Sequence, residues 1–281
     1  FDGSPVQPGK DAPRPRGYRE QDVIPAASRV AVPVSVSALA AAHAHDGALG
    51  LGEIVAPSVK IATAQRCKSR AALLRRVGQV GPIALRETGF SRAVFEVAGR
   101  QVEGNLTQTD LDEATAAVVP PRRAEGMLLP ARPCSELEAP CVAAWVIAAC
   151  DARGVFAVLH ATYDPDGIEL PAFEITAPRF AVPVRRGVPR VRPGVRLTMP
   201  APMALLTEGE MPWAAVAFES TVALTLETLW IAPGDGLTFD QQLENLLRAE
   251  RAHVRRAVAV VRGSGQRAAV RSLQWAADAT P

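Results

Sequence analysis

Residues 142 to 161 constrain the chain most. Val142 to Cys150 is a continuous apolar run with β-branched and aromatic members, Asp151-Ala152-Arg153-Gly154 supplies turn chemistry, and Val155 to Ala161 returns with the same character. Two such runs joined by a short turn predict a β-hairpin, and their lack of polar residues predicts one buried on both faces or nearly so. The rest of the chain must then furnish the layers that cover it.

The flanking sequence is patterned to do so. Val32, Val36, Leu39 and Ala42 recur at helical spacing with Ser35 available as a cap, predicting a helix over 35–45 that stops at Asp46-Gly47. Ile54, Val55, Val59, Ile61 and Ala62 predict a second over 53–65, interrupted near its start by Pro57. Two more are predicted over 69–77 and, capped by Thr107, over 107–117. After the hairpin, strand-like runs occupy 180–184, 195–199, 202–206 and 213–218. Helices are expected again over 220–231, 238–261 and 266–277, the middle one carrying Leu243, Leu246, Leu247, Val254 and Val258. Helices, then strands, then helices predict a mixed α/β architecture of helix against sheet. The 281 residues, 48% of them hydrophobic, suffice for one composite domain, with 1–140 mostly helical and 141–281 contributing strands and closing helices.

Charge excludes some partners. Thirty-one basic and 29 acidic side chains leave a net +2, so no global field draws in nucleic acid or an acidic membrane surface. Arg185, Arg186, Arg190 and Arg192 lie among Val, Pro and Gly without aromatic interleaving, and read as solvated strand edges or loops. No run reaches 18 uncharged apolar residues, so no membrane span is expected. Residues 4–17 hold four prolines with little to bury and read as an extended surface segment. Cys67, Cys134, Cys141 and Cys150 have no paired spacing and read as small buried hydrophobes. With no signal pattern, they lean the expected location to the cytoplasm, with the periplasm as the alternative.

Several segments, in a shared order, resemble the γ-glutamyltransferase family of N-terminal-nucleophile hydrolases. Ala31-Val32-Pro33, Val36, Leu39, Ala42-His43, Gly47, Leu49, Glu53 and Val55-Ala56-Pro57 are similar to its Val-Pro-Gly turn and following helices. Gly104-Asn105-Leu106-Thr107-Gln108-Thr109-Asp110-Leu111 is similar to its Gly-Gly-x-Leu-Thr-x-x-Asp-Leu segment. Arg192-Pro193-Gly194 through Met199-Pro200-Ala201-Pro202 resembles the stretch before its Pro-Gly-Gly-Ser motif. The resemblance covers about half the chain and implies an αββα four-layer sandwich, truncated and remodelled.

It also implies lost chemistry. The family cuts itself before a threonine whose hydroxyl then attacks the γ-glutamyl amide, with its own amine as base. Aligning Asp151-Ala152-Arg153-Gly154 on the family's turn puts Ala144 on that threonine and Trp145 on the next. A methyl group attacks nothing. Asp2-Gly3-Ser4 places Ser4 where the family has the arginine that holds the substrate carboxylate, and 214–221 has no glycine to form the oxyanion turn. The expectation is a non-catalytic structural or assembly subunit with no cofactor and no metal, whose partners are other protein subunits or further copies of itself.

The rival reading is an amide hydrolase or γ-glutamyl transferase using a different nucleophile, with Cys141, Ser135 and Thr162 as candidates. Cys141 lies an odd three positions before Ala144, on the opposite strand face, and reads as structural. A third reading is a small-molecule binding module, against which Ser4 argues. His43-Ala44-His45-Asp46 invites a metal, but residues two apart on a helix diverge. His160 reads as a hydrogen-bonded core residue, and Asp164-Pro165-Asp166-Gly167 as a turn.

Overall fold

The computed structural model describes residues 1–4, 6–10, 17–23, 32, 34–93, 96, 107–113, 115–131, 143–179, 186–187, 191–197, 201–220, 238–249, 254–262 and 268–274. The chain is mixed α/β with antiparallel sheets. It divides into two compact units: the first holds 1–119 and 164–197, the second 120–163 and 198–281. Each is built from two stretches of chain, so the sequence division at Pro140 does not coincide with this partition.

The second unit contains a six-stranded antiparallel sheet. Its strands are β1 (Arg122–Ala124), β2 (Met127–Leu129), β6 (Met203–Glu208), β7 (Met211–Ser220), β8 (Val254–Arg262) and β9 (Ala268–Gln274), and they lie side by side in that order. Alternation assigns the two faces of the sheet. Ala214, Val216 and Phe218 of β7 and Ala257 and Ala259 of β8 join Met127, Leu129, Ala204 and Leu206 in one core, closed by Leu243 from the helix α6 (Phe239–Ala249). Trp213 and Phe239 meet edge to face at 5.5 Å beside it. The opposite register, Ala215 and Ala217 paired with Val260 and Val258, faces the hairpin of β3 (Ala143–Cys150) and β4 (Phe156–Leu170). Ala215 and Ala217 are fully buried there.

The hairpin itself exists where the sequence places it, yet only one face is buried. Even-numbered Ala144, Val146 and Ala148 turn inward, whereas Trp145 and Ile147 are 64% and 54% exposed. A larger correction concerns the C-terminal third. The helix predicted over 238–261 ends at Ala249, and Val254–Arg262 is a strand; the helix predicted over 266–277 is strand β9 over Ala268–Gln274. Val254, Val258, Val260, Val261 and Val270 are β-branched and stiff at χ1, and Gly263-Ser264-Gly265 between the runs is turn chemistry that outweighs the helical spacing. The helix predicted over 220–231 and the strand over 180–184 lie outside the described residues.

In the first unit, α1 (Ser35–Asp46), α2 (Leu51–Ala64), α3 (Lys68–Val80), α4 (Ile83–Glu87) and α5 (Gln108–Asp112) precede the later part of β4, which pairs with β5 (Ile175–Arg179). The first three fall where periodicity predicts them, and α5 is far shorter than 107–117. Ser35 does not cap α1: the cap position is Val34, without a side-chain bond. Residue 196 carries only an isolated bridge within the run expected as a strand over 195–199. At the crossing of α2 and α3 the backbones come together at glycines, since a Cβ on Gly78 would stand 2.7 Å from Val55 Cγ2 and 3.1 Å from Gly52 Cα. Asp164-Pro165-Asp166-Gly167 is not a turn. It lies inside β4, where the register with β5 shifts between Asp164 and Ile168 and so absorbs Pro165 as an irregularity. Among the described residues, no helix is long and apolar enough to cross a membrane.

Candidate functional site

The turn that sets the hairpin register is locked by one carboxylate. Asp151 accepts from the backbone N–H of Arg153 and of Val155 at 2.9 Å each, and from Arg153 Nε at 2.7 Å. These bonds, the Val155 amide foremost, lower its pKa below the ordinary carboxylate value. Gly154 takes φ +83°, and a Cβ there would come within 3.1 Å of the Arg262 guanidinium, so the turn tucks under β8. The ladder this turn starts pairs Cys150 with Phe156 and proceeds without slip to Ala144 opposite Thr162.

Ala144 therefore sits on the inward face, 5% exposed, and Trp145 on the outward one. His160, opposite Val146, also points inward. It faces the Phe218 backbone of β7, and its Nε2 is sealed from solvent with no hydrogen-bond partner among the described residues. Burial drives its pKa down to about 4, against the opposing pull of the Phe218 backbone. His160 thus points into the core from its apolar strand, but its Nε2 lacks the hydrogen bond expected of it.

Ser4 belongs to the first unit, in a segment that departs from expectation. Gln7, Pro8 and Gly9 are buried, so the described residues 2–4 and 6–9 form an internal spine where a surface segment over 4–17 was expected; residues 5 and 11–16 lie outside the described residues. Asp2 exchanges backbone bonds with Ala117, and Val6 with Val32; the Gln7 N–H donates to the Val195 carbonyl. Proline, which donates no backbone bond, suits a strand threaded between irregular neighbours. Gly3 permits close approach to α1, because a Cβ there would stand 2.9 Å from Ala38 Cβ.

Two charged side chains anchor this spine, and sequence reading passes over both roles. Asp110, 5% exposed, accepts from the Gly9 and Lys10 amides at 2.8 and 2.9 Å and from Thr107 N and Oγ1 at 2.8 and 2.9 Å. Thr107 in turn accepts from the Asp110 amide, closing a capping box. Arg196 donates to the carbonyls of Asp2 (3.2 Å) and Ser4 (3.3 Å) and to that of Thr115. An arginine therefore stands beside Ser4, but its donors are spent on backbone. The Thr107-x-x-Asp110 spacing signals the box; nothing local signals that Asp110 also binds residues 100 positions away.

Cys134, Ser135 and Cys141 lie outside the described residues. Thr162 is a ladder residue of β4, and Cys67 and Cys150 are free thiols. His43 Nε2 meets the Leu49 carbonyl at 2.7 Å and His45 Nδ1 meets Asp46 at 2.9 Å, each a local contact. No group of three or more His, Cys, Asp or Glu that could hold a metal occurs among the described residues. Residues 214–217 pair with β6 on one side and β8 on the other, so these amides serve the sheet ladder. Arg186 and Arg192 are exposed, while Arg185 and Arg190 lie outside the described residues. Compared with known proteins, the chain matches no family model, no curated protein and no solved structure.

Proposed function

We propose that this chain is a non-catalytic, γ-glutamyltransferase-like assembly subunit that presents the outward face of the β3–β4 hairpin to another protein. The exposure of Trp145 and Ile147, 64% and 54%, carries the reading. Large apolar side chains adjoining on one strand face are the composition of a binding surface, and tryptophan is favoured at the energetic centre of such surfaces. The layers of the second unit support it. Helix α6 covers one face of the six-stranded sheet and the hairpin covers the other, the order of three of the layers in an αββα sandwich. A fourth layer, in that architecture, would lie on the side of Trp145 and Ile147. The buried methyl of Ala144, at the position the resemblance assigns to the nucleophile, agrees with an assembly role.

Purification of the wild-type chain from its source should yield a stoichiometric complex, and Ile147→Lys should lose that partner while keeping its own fold. Retention of the partner by Ile147→Lys would overturn the docking surface. Two fragments split near residues 134–144, or hydrolysis of γ-glutamyl p-nitroanilide by an intact chain, would overturn the non-catalytic reading.

A further inference from the structure

We propose that His160 makes the seating of the β3–β4 hairpin on the six-stranded sheet acid-labile, so that protonating one imidazole releases the hairpin while the α6-covered face stays folded. His160 stands on β4 opposite Val146, on the face of the hairpin turned toward the sheet. Its Nε2 is closed off from water and has no hydrogen-bond partner among the described residues. The neutral ring fits this arrangement with its lone pair unused. A proton added at Nε2 creates a buried cation with a donor pointing at nothing, and the nearest remedy is for the strand to move until water reaches it.

The described side chains do not rescue that charge. Among the described residues, β7 turns Glu219 toward the same side, but Glu219 is paired with Arg256 of β8 at 3.7 Å. β8 adds Arg262, which lies against Gly154 at the turn, so β8 brings only positive charge to this side. β3 contributes Ala144, Val146 and Ala148 and, at its turn end, Cys150; β4 contributes Phe156 and Val158. Asp151 is occupied by Arg153 and its own turn. The rest of the contact is apolar, with Ala215 and Ala217 of β7 and Val258 and Val260 of β8 facing the hairpin, and offers no counter-charge.

The sign follows from linkage. A histidine whose folded pKa is depressed gives its full contribution above the unfolded value near 6.5, and that contribution drains away as pH falls toward the folded value of about 4. The upper part of this window lies above the ordinary carboxylate range, so acidic side chains do not confound it.

Amide exchange of the full chain between pH 6.5 and 4.5, corrected for intrinsic rates, tests the idea. Protection of β3 amides should fall by up to about tenfold per pH unit, while β7 amides paired to β8 stay protected. His160→Gln, neutral throughout, should show pH-independent β3 protection. Equal loss in β3 and β7, or the same acid loss in His160→Gln, would overturn the proposal. If His160→Gln does not fold, the wild-type ring decides: an imidazole midpoint at the ordinary histidine value of about 6.5 in NMR would overturn it, and one well below that supports it.

Discussion

The two units are held together by different means. In the second, the core is a period-2 pattern in which Phe218, Val216, Leu206 and Ala257 pack as side chains against Leu243, and the backbone is satisfied by its own ladder. In the first, an extended spine without a continuous ladder is pinned by Asp110 and Arg196, whose polar atoms bind backbone groups far away in sequence. Apolar burial degrades gradually when one contact is trimmed, because neighbours relax. A charged anchor does not: removing it strands several buried donors together.

The largest effect should come from Phe218→Ala. Phe218 is 2% exposed at the centre of the core, and its truncation leaves a cavity costing about 3–5 kcal/mol. Denaturation followed by segment-resolved exchange should show the second unit melting early. If the first unit melts with it, the two are not held together by different means. Asp110→Ala should follow, at roughly 2–3 kcal/mol, through the orphaned Gly9, Lys10 and Thr107 donors. Its mark is loss of protection at the Val6 and Gln7 amides with β6 to β8 unchanged; a uniform loss across the chain would refute the anchor.

The same contrast explains what was legible in the sequence. The hairpin at 143–161 and strands β6 and β7 follow from local runs and turn residues, as do helices α1 to α3. β8 and β9 were masked by alanine and arginine, good helix formers scattered among the valines; only the valine density and Gly263-Ser264-Gly265 argue for strands. The spine is not legible, because its proline content suggests solvent, whereas its burial depends on partners 100 or more residues away. That Ala144 lies in the first strand of the hairpin is legible, since Asp151 fixes the turn locally. Trp145 was read only as a degenerate catalytic position, because exposure is a property of the layers and not of the strand.

A smaller effect sharpens the picture within the helical unit. Gly78→Ala gains helix propensity but pushes a methyl into Val55 and the Gly52 backbone, for a net loss of about 1–2 kcal/mol. Val55→Ala in the same chain should restore part of it, because the closest clash is with Val55 Cγ2. Strictly additive losses in the double variant would show that α2 and α3 do not meet at these glycines.

The smallest effect separates an anchor from a strained residue. Glu174 adopts φ +53°, and its carboxylate accepts from the Ser69 amide at 2.9 Å, in the first turn of α3. Its carbonyl accepts from Arg70 Nε at 2.8 Å. It thus caps a helix from 105 residues away, because Cys67 at the cap position makes no side-chain capping bond. Glu174→Ala keeps the left-handed backbone and loses the cap, which costs about 1 kcal/mol. Glu174→Gly loses the same cap but relieves a conformation that costs a side-chain-bearing residue about 1–2 kcal/mol, so it should lie near wild type in chemical denaturation. Glycine above alanine by about 1 kcal/mol supports a strained backbone held in place by a distant polar contact. Alanine equal to glycine would mean that Arg70 and Ser69 do not hold this residue, and that the first unit relies on apolar packing as the second does.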